Sequence, residues 1–286
     1  MAPLPLRYWA YIAVLVLLLF TGLSSWPLPL NKDKDQLAKM TESLWNATDN
    51  PRLVLIGNSL LGHAAAGAAE FNQLLTSTQM DWQVAKLVKA GFKPAYFAPL
   101  LPHLAQSRPN LVILQVENFY MSEDTRRLAT YRDNISQLRR LFNHVLFNEA
   151  VLHELSYDSL QCINKAELSD QEYQTIYANM QPELQAAAFK PYLAFIAAVK
   201  AQGGQVVLLE IGRSPKAELH LGQEKRIRIN TIIQQLAQQA DVEVWRFPPE
   251  LITQQDYCDT AHLAPSGRQK FMNWLLPRLQ AEGKTE

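Results

Sequence analysis

Short runs of uninterrupted apolar residues alternate along this chain with longer stretches whose apolar positions recur every three or four residues. Arg52-Leu53-Val54-Leu55-Ile56-Gly57 is apolar, partly β-branched and closed by glycine, which predicts a buried strand. Trp82–Leu87, Gln205–Ile211 and Val242–Trp245 read the same way. Leu111–Val116 shows no polar alternation until its end, as expected of a parallel strand covered on both faces. Helical stretches lie between them at Ala64–Ser77, Pro99–Gln106, Asp124–His153, Glu183–Gln202, Lys225–Ala240 and Ser266–Gln280. In the third, Leu128, Tyr131, Ile135, Leu138 and Phe142 are spaced by three and four. The fourth is stopped by Gly203-Gly204. Alternating strands and helices predict a three-layer α/β/α domain on a mainly parallel sheet. Residues 119–190 are long, helical and polar for a crossover, and read as a helical insertion.

The amino terminus follows another pattern. No charge stands between Arg7 and Lys32, and Tyr8 to Phe20 is almost wholly apolar, with the run continuing to Trp26. About 20 residues at 1.5 Å each span a bilayer core. Tyr8, Trp9 and Trp26 stand at the two ends, and Pro27 and Pro29 follow. Residues 1–30 are therefore read as a single-pass membrane anchor, with a cleaved signal peptide as the competing reading. Residues 31–50 are read as a linker and residues 51–286 as one domain. Arg7 on one side and Lys32, Lys34 and Lys39 on the other leave the orientation open.

Charge and composition narrow the function classes. Lys+Arg and Asp+Glu both number 27, so nothing draws the chain as a whole to nucleic acid. Cys162 and Cys258 are too few for a zinc site of four cysteines; they form one bridge in an oxidising compartment or remain two thiols. There is no phosphate-cradling glycine loop and no paired-histidine spacing, so neither metal nor cofactor is expected. Asn46-Ala47-Thr48 and Asn134-Ile135-Ser136 match the glycosylation sequon, a pattern common by chance.

In a parallel sheet, ligands bind beyond the carboxyl ends of the strands, so the residues following each strand carry the candidate chemistry. Ser59 follows the first strand at the start of a helix, where backbone N–H groups favour a developing anion; the plainer reading is a helix cap. Asn118 follows Leu111–Val116 and could donate its amide to an oxyanion, or simply belong to a turn. Asp259 and His262 share one loop, at a spacing that lets a carboxylate hold an imidazole; otherwise His262 is a surface or capping residue. His63 is placed to line a pocket near Ser59, and Arg213, after Glu210, to bind an anionic substrate group. His103, His144, His153 and His220 read as surface or packing residues.

Taken together these motifs resemble the SGNH (GDSL-like) hydrolase family from about Arg52 to Leu279. Gly57-Asn58-Ser59-Leu60 looks like the family's Gly-Asp-Ser-Leu block, with Asn58 in place of Asp. Asp259-Thr260-Ala261-His262 matches its Asp-x-x-His block. Asn118 matches the asparagine of the Gly-x-Asn-Asp block, although Val116 and Phe119 stand where Gly and Asp would be, and Gly91 falls at the family's oxyanion glycine. The resemblance implies a flavodoxin-like fold and acyl transfer through an acyl-serine on Ser59, with His262 as base and Asp259 orienting it. Gly91 and Asn118 would help hold the oxyanion. It implies an ester hydrolase or an O-acyltransferase acting on carbohydrate or lipid esters. Anchored members of this layout suggest an extracytoplasmic domain at the cell envelope with a polytopic membrane partner that delivers the acyl group. In that compartment a Cys162–Cys258 bridge could brace the loop of Asp259. The alternative is an inactive SGNH-like module that binds glycans or scaffolds an envelope complex.

Overall fold

The computed structural model describes residues 50–88, 94–120, 168–178 and 180–283, together with Tyr8 and Tyr11. The chain divides into two units, residues 1–33 with 123–153 and residues 34–122 with 154–286. Apart from Tyr8 and Tyr11, every described residue belongs to the second unit.

That unit is built on five strands: β1 Arg52–Gly57, β2 Gln83–Val88, β3 Leu111–Gln115, β4 Gln205–Glu210 and β5 Glu243–Arg246. They lie in the order β2-β1-β3-β4-β5 with every pair parallel. Side chains alternate across a strand, so each central strand has to bury two rows. Val54, Ile56, Val112, Leu114 and Leu208 enter one core; Leu53, Leu55, Leu111, Ile113 and Leu209 enter the other. That requirement explains why these strands read as unbroken apolar runs.

The helices form the outer layers. On one face lie α1 Ser59–Ala64, α2 Ala68–Ser77 and α9 Pro265–Glu282, which supply Leu61, Phe71, Leu75, Phe271 and Leu275 to the core. The other face is covered by α3 Pro94–Phe97, α4 Leu101–Gln106, α5 Asp170–Ala178, α6 Ala186–Lys200, α7 Pro215–Leu221 and α8 Gln223–Ala240. These supply Phe97, Leu104, Tyr173, Phe189, Leu221 and Ile233. The chain runs outward from β1 to β2 and then crosses to β3 on the far side of β1. The order therefore reverses between β1 and β3, and a crevice opens at their carboxyl ends. Ser59 and the helical turn Glu117–Phe119 border that crevice.

The predicted architecture agrees with this sheet, and the differences are local. The helix predicted over Ala64–Ser77 begins only at Ala68, because Ala64 closes α1 and Ala65 is extended (φ −87°, ψ 143°) before Gly67 caps α2. The buried Lys86 ammonium holds this break, taking up the carbonyls of Ala65 and Ala66 at 3.0 and 3.1 Å. Helix α7 was not predicted; Ser214 caps it through the Ala217 amide and Pro215 opens it. Val116 leaves its strand for the helical turn. The predicted helix Asp124–His153 lies outside the described residues, as do residues 31–49 and the predicted anchor except Tyr8 and Tyr11. Among the described residues, no helix is long and apolar enough to cross a membrane.

Gly204 joins α6 to β4 where a Cβ would stand 2.2 Å from the Pro109 carbonyl oxygen and 2.8 Å from Val199 Cγ1. Backbone cannot yield as a side chain can. Gly204→Ala is therefore expected to lower stability by about 1–3 kcal/mol, measured by urea unfolding. An unchanged midpoint would contradict this packing.

Candidate active site

The site begins at the end of β1. Asn58 is extended (φ −107°, ψ −161°), and its Oδ1 accepts the Leu60 amide at 2.8 Å, which caps α1 and leaves Ser59 as the first helical residue. The Asn58 amide in turn donates to Gln115 Oε1 at 2.8 Å, from a fully buried side chain at the end of β3. Gly57 makes that approach possible, since a Cβ there would lie 2.4 Å from Gln115 Oε1. At the other end of α1, Lys86 Nζ donates to the carbonyls of Gly62, Ala65 and Ala66. A cation at a helix carboxyl end complements its dipole.

The second half arrives on the loop between β5 and α9. Thr253 and Asp256 form a reciprocal capping box, and Lys270 pairs with the buried Asp256 at 2.6 Å. Tyr257 and Leu263 then pair as an isolated antiparallel bridge. The Cys258 amide donates to the His262 carbonyl at 2.7 Å, and the Ala264 amide to the Asp256 carbonyl at 2.8 Å. Cys258 is disulfide-bonded; Cys162, the other cysteine, lies outside the described residues. The Ser214 amide donates to the Thr260 carbonyl at 2.9 Å, tying the loop to the end of β4. A loop held at so many points keeps its side chains in place.

Its tip carries Asp259 and His262. Asp259 Oδ1 accepts the amides of Ala261 and His262, both at 2.9 Å, while Oδ2 lies 2.7 Å from His262 Nδ1. His262 Nε2 lies 2.8 Å from Ser59 Oγ. Burial works against charge on Asp259, but the bond to the His262 ring, the His262 charge and the two amides outweigh it and hold the carboxyl at about 2. The carboxylate thus orients the ring through Nδ1, and Nε2 faces the serine as acceptor.

His63 stands one turn after Ser59, its ring centroid 4.6 Å from that of His262 at an interplanar angle of 49°. Burial, the His262 charge and the Arg268 guanidinium lower its pKa to about 4, so it is neutral near pH 7. Arg268 Nε donates to the His63 carbonyl at 2.9 Å, joining α9 to α1.

The remaining sequence candidates fall differently. The backbone of Asn118 lies in the turn after β3, on the crevice, while its side chain and Gly91 lie outside the described residues. Arg213 is engaged by side chains of the protein itself. Its guanidinium is buried against Glu218 (3.2 Å) and the Tyr120 hydroxyl (3.2 Å), as an internal ion pair at the end of β4. Among the described residues, no group of acidic, histidine or cysteine side chains could hold a metal ion.

Three residues of consequence escaped the sequence reading. Gln115 pins the serine turn, Lys86 holds α1, and the buried Glu117 accepts the Ile211 and Gly212 amides at 2.6 and 3.2 Å, lashing the end of β3 to that of β4. Each is a polar residue within or closing an otherwise apolar strand run, which is the signal that could have marked them.

No protein-family profile and no curated protein matches the chain. Solved structures similar to it include a GDSL-like lipase from Bacteroides thetaiotaomicron, at 11% identity over 88% of this chain and 98% of that one, with a TM-score of 0.49. A putative acylhydrolase from Bacteroides fragilis is 10% identical over 87% and 97%, with a TM-score of 0.49. The psychrotrophic esterase EstA from Pseudoalteromonas sp. is 12% identical over 81% and 100%, with a TM-score of 0.41.

Two expectations follow from the geometry. Gly57→Ala forces apart Gly57 and Gln115, and should cost about 1–3 kcal/mol in urea unfolding while displacing the serine turn. An unaltered stability would mean that Gln115 yields without cost. Asp259 titrates at about 2 in the folded chain, against about 3.9 unfolded. Its contribution is therefore complete above the unfolded value and lost as pH falls through the folded one. The stability difference between wild type and Asp259→Asn should shrink as pH falls from about 5 to about 2. A difference independent of pH would show that the His262 bond does not hold the carboxylate.

Proposed function

We propose that the chain is a serine ester hydrolase or O-acyltransferase of the SGNH (GDSL-like) type. The observation that carries this reading is the hydrogen-bonded line from Ser59 Oγ through His262 to Asp259, at 2.8 and 2.7 Å. In the reaction, His262 Nε2 takes the Ser59 proton as Oγ attacks an ester carbonyl. The charge on His262 is stabilised by Asp259, which stays ionised. The tetrahedral oxyanion forms at the amino end of α1, where the Ser59 amide is one donor; Gly91 and Asn118 are the further donors we assign. His262 returns the proton to the leaving alcohol, leaving an acyl-serine. Water or a sugar hydroxyl, deprotonated by His262, then releases the acyl group. No metal or cofactor takes part in this scheme.

The wider setting belongs to the same proposal and rests on residues 8–26 and the motif resemblance. The chain would be held in a membrane by its amino-terminal segment, with the domain outside the cytoplasm. It would act on carbohydrate or lipid esters of the envelope, with a polytopic membrane protein as acyl donor. The His63 ring is assigned as one wall beside the base.

The deciding experiment treats the full chain with a fluorophosphonate and locates the adduct by mass spectrometry. Wild type should be labelled on Ser59. Ser59→Ala should lose the adduct, and His262→Ala should react at least about 10³-fold more slowly. Folded wild-type protein that takes no label would favour the inactive glycan-binding or scaffold module instead.

A further inference from the structure

A second cavity, of about 390 Å³, opens beside the carboxyl ends of β4 and β5, between α7, α8 and the start of the Asp259 loop. Neither Ser59 nor His262 lines it. Among the described residues, the charges lining it are three guanidinium groups, Arg213, Arg226 and Arg246, against two carboxylates, Glu210 and Glu218. Arg213 is committed to Glu218 and Tyr120. Arg246 meets Glu210 through Nε at 3.3 Å and Asn230 through one terminal nitrogen at 2.7 Å. Arg226 Nε makes a 3.4 Å bond to the Gly222 carbonyl. A guanidinium carries five N–H donors, so Arg226 and Arg246 keep capacity for a ligand.

Tyr257 contributes to the wall as well; its hydroxyl is sealed from the cavity and, among the described residues, has no hydrogen-bond partner. The rest of the wall is apolar, including Leu221, Ile229 and Ile252. Glu210, which competes for Arg246, is a weak rival to an incoming anion. Burial first, and then the Glu117 charge, raise its pKa to about 7, so part of the population is uncharged at neutral pH.

We propose that this cavity binds a small organic carboxylate: the charged end on Arg246 and Arg226, the aliphatic body against Leu221, Ile229 and Ile252. The site also touches the loop of Asp259. Tyr257 precedes Asp259 by two residues, and the Ser214 amide beside Arg213 holds the Thr260 carbonyl. A bound carboxylate therefore braces the loop that carries Asp259 and His262. Binding at this cavity does not depend on the role given to Ser59.

The test is calorimetric titration of the full chain carrying Ser59→Ala, which removes the serine hydroxyl from the read-out. The probes are hexanoate, hexan-1-ol (the same body without the charge) and inorganic phosphate (charge without the body). Hexanoate should bind at one saturable site, and each of the other two at least tenfold more weakly. Arg246→Gln should weaken hexanoate at least tenfold. Arg226→Gln, at an exposed position of α8 that should leave the urea midpoint unchanged, should weaken it several-fold. Absence of saturable hexanoate binding would overturn the proposal. So would binding that both variants leave unchanged, or phosphate binding as tightly as hexanoate. If Arg246→Gln does not fold, Arg226→Gln and the three probes decide the matter alone.

Discussion

One hydrogen bond, from the Asn58 amide to Gln115 Oε1, fixes the ground on which the site stands. It joins the turn after β1 to the end of β3, the two strands between which the sheet reverses its order. The bond is possible only because Gly57 has no side chain, and only because Gln115 is wholly buried and has no water to turn to. With the turn fixed, Asn58 caps α1, Ser59 takes the first helical position, and Lys86 anchors the far end of the helix. The serine is thus clamped at both ends of a six-residue helix. So short a helix has little stability of its own. The clamps provide what helix propensity does not.

The two histidine rings form an asymmetric pair for a simple electrostatic reason. They lie 4.6 Å apart, and two cations at that distance in a half-buried setting repel strongly. Asp259 sits on the Nδ1 of His262, whereas Arg268 adds its positive charge to the forces that keep His63 neutral. One carboxylate thus engages the His262 ring through Nδ1, while burial and one guanidinium help keep the His63 ring neutral.

Much of the sheet was legible because parallel strands buried on both faces have to be apolar throughout. Leu111–Val116 and Gln205–Ile211 could be read within a residue of their ends for that reason. Ser59, Asp259 and His262 were legible because each follows a strand or sits in a loop at a spacing that chemistry requires. What the sequence hid depended on partners distant along the chain. The break between α1 and α2 is held by Lys86, which lies on a neighbouring strand, and a local reading of Ala64–Ser77 finds only Gly67 among its alanines to mark it. Arg213 reads as an open cation until Glu218 and Tyr120 are seen folded against it. Glu117 looks like any turn acid until the amides after β4 are found on its carboxylate. Propensity and periodicity describe neighbours in sequence, and these features arise between elements.

The serine and the histidine that face each other are 203 positions apart in sequence. The loop that brings His262 into place is itself seated by α9, the last described helix, through Lys270 on Asp256 and through Gly267, where a Cβ would stand 2.3 Å from the Asp256 carbonyl oxygen. A chain emerging from the ribosome therefore carries Ser59 without its histidine partner until the loop and α9 have followed it out. The constellation is a long-range product of folding, absent from any fragment that stops short of α9.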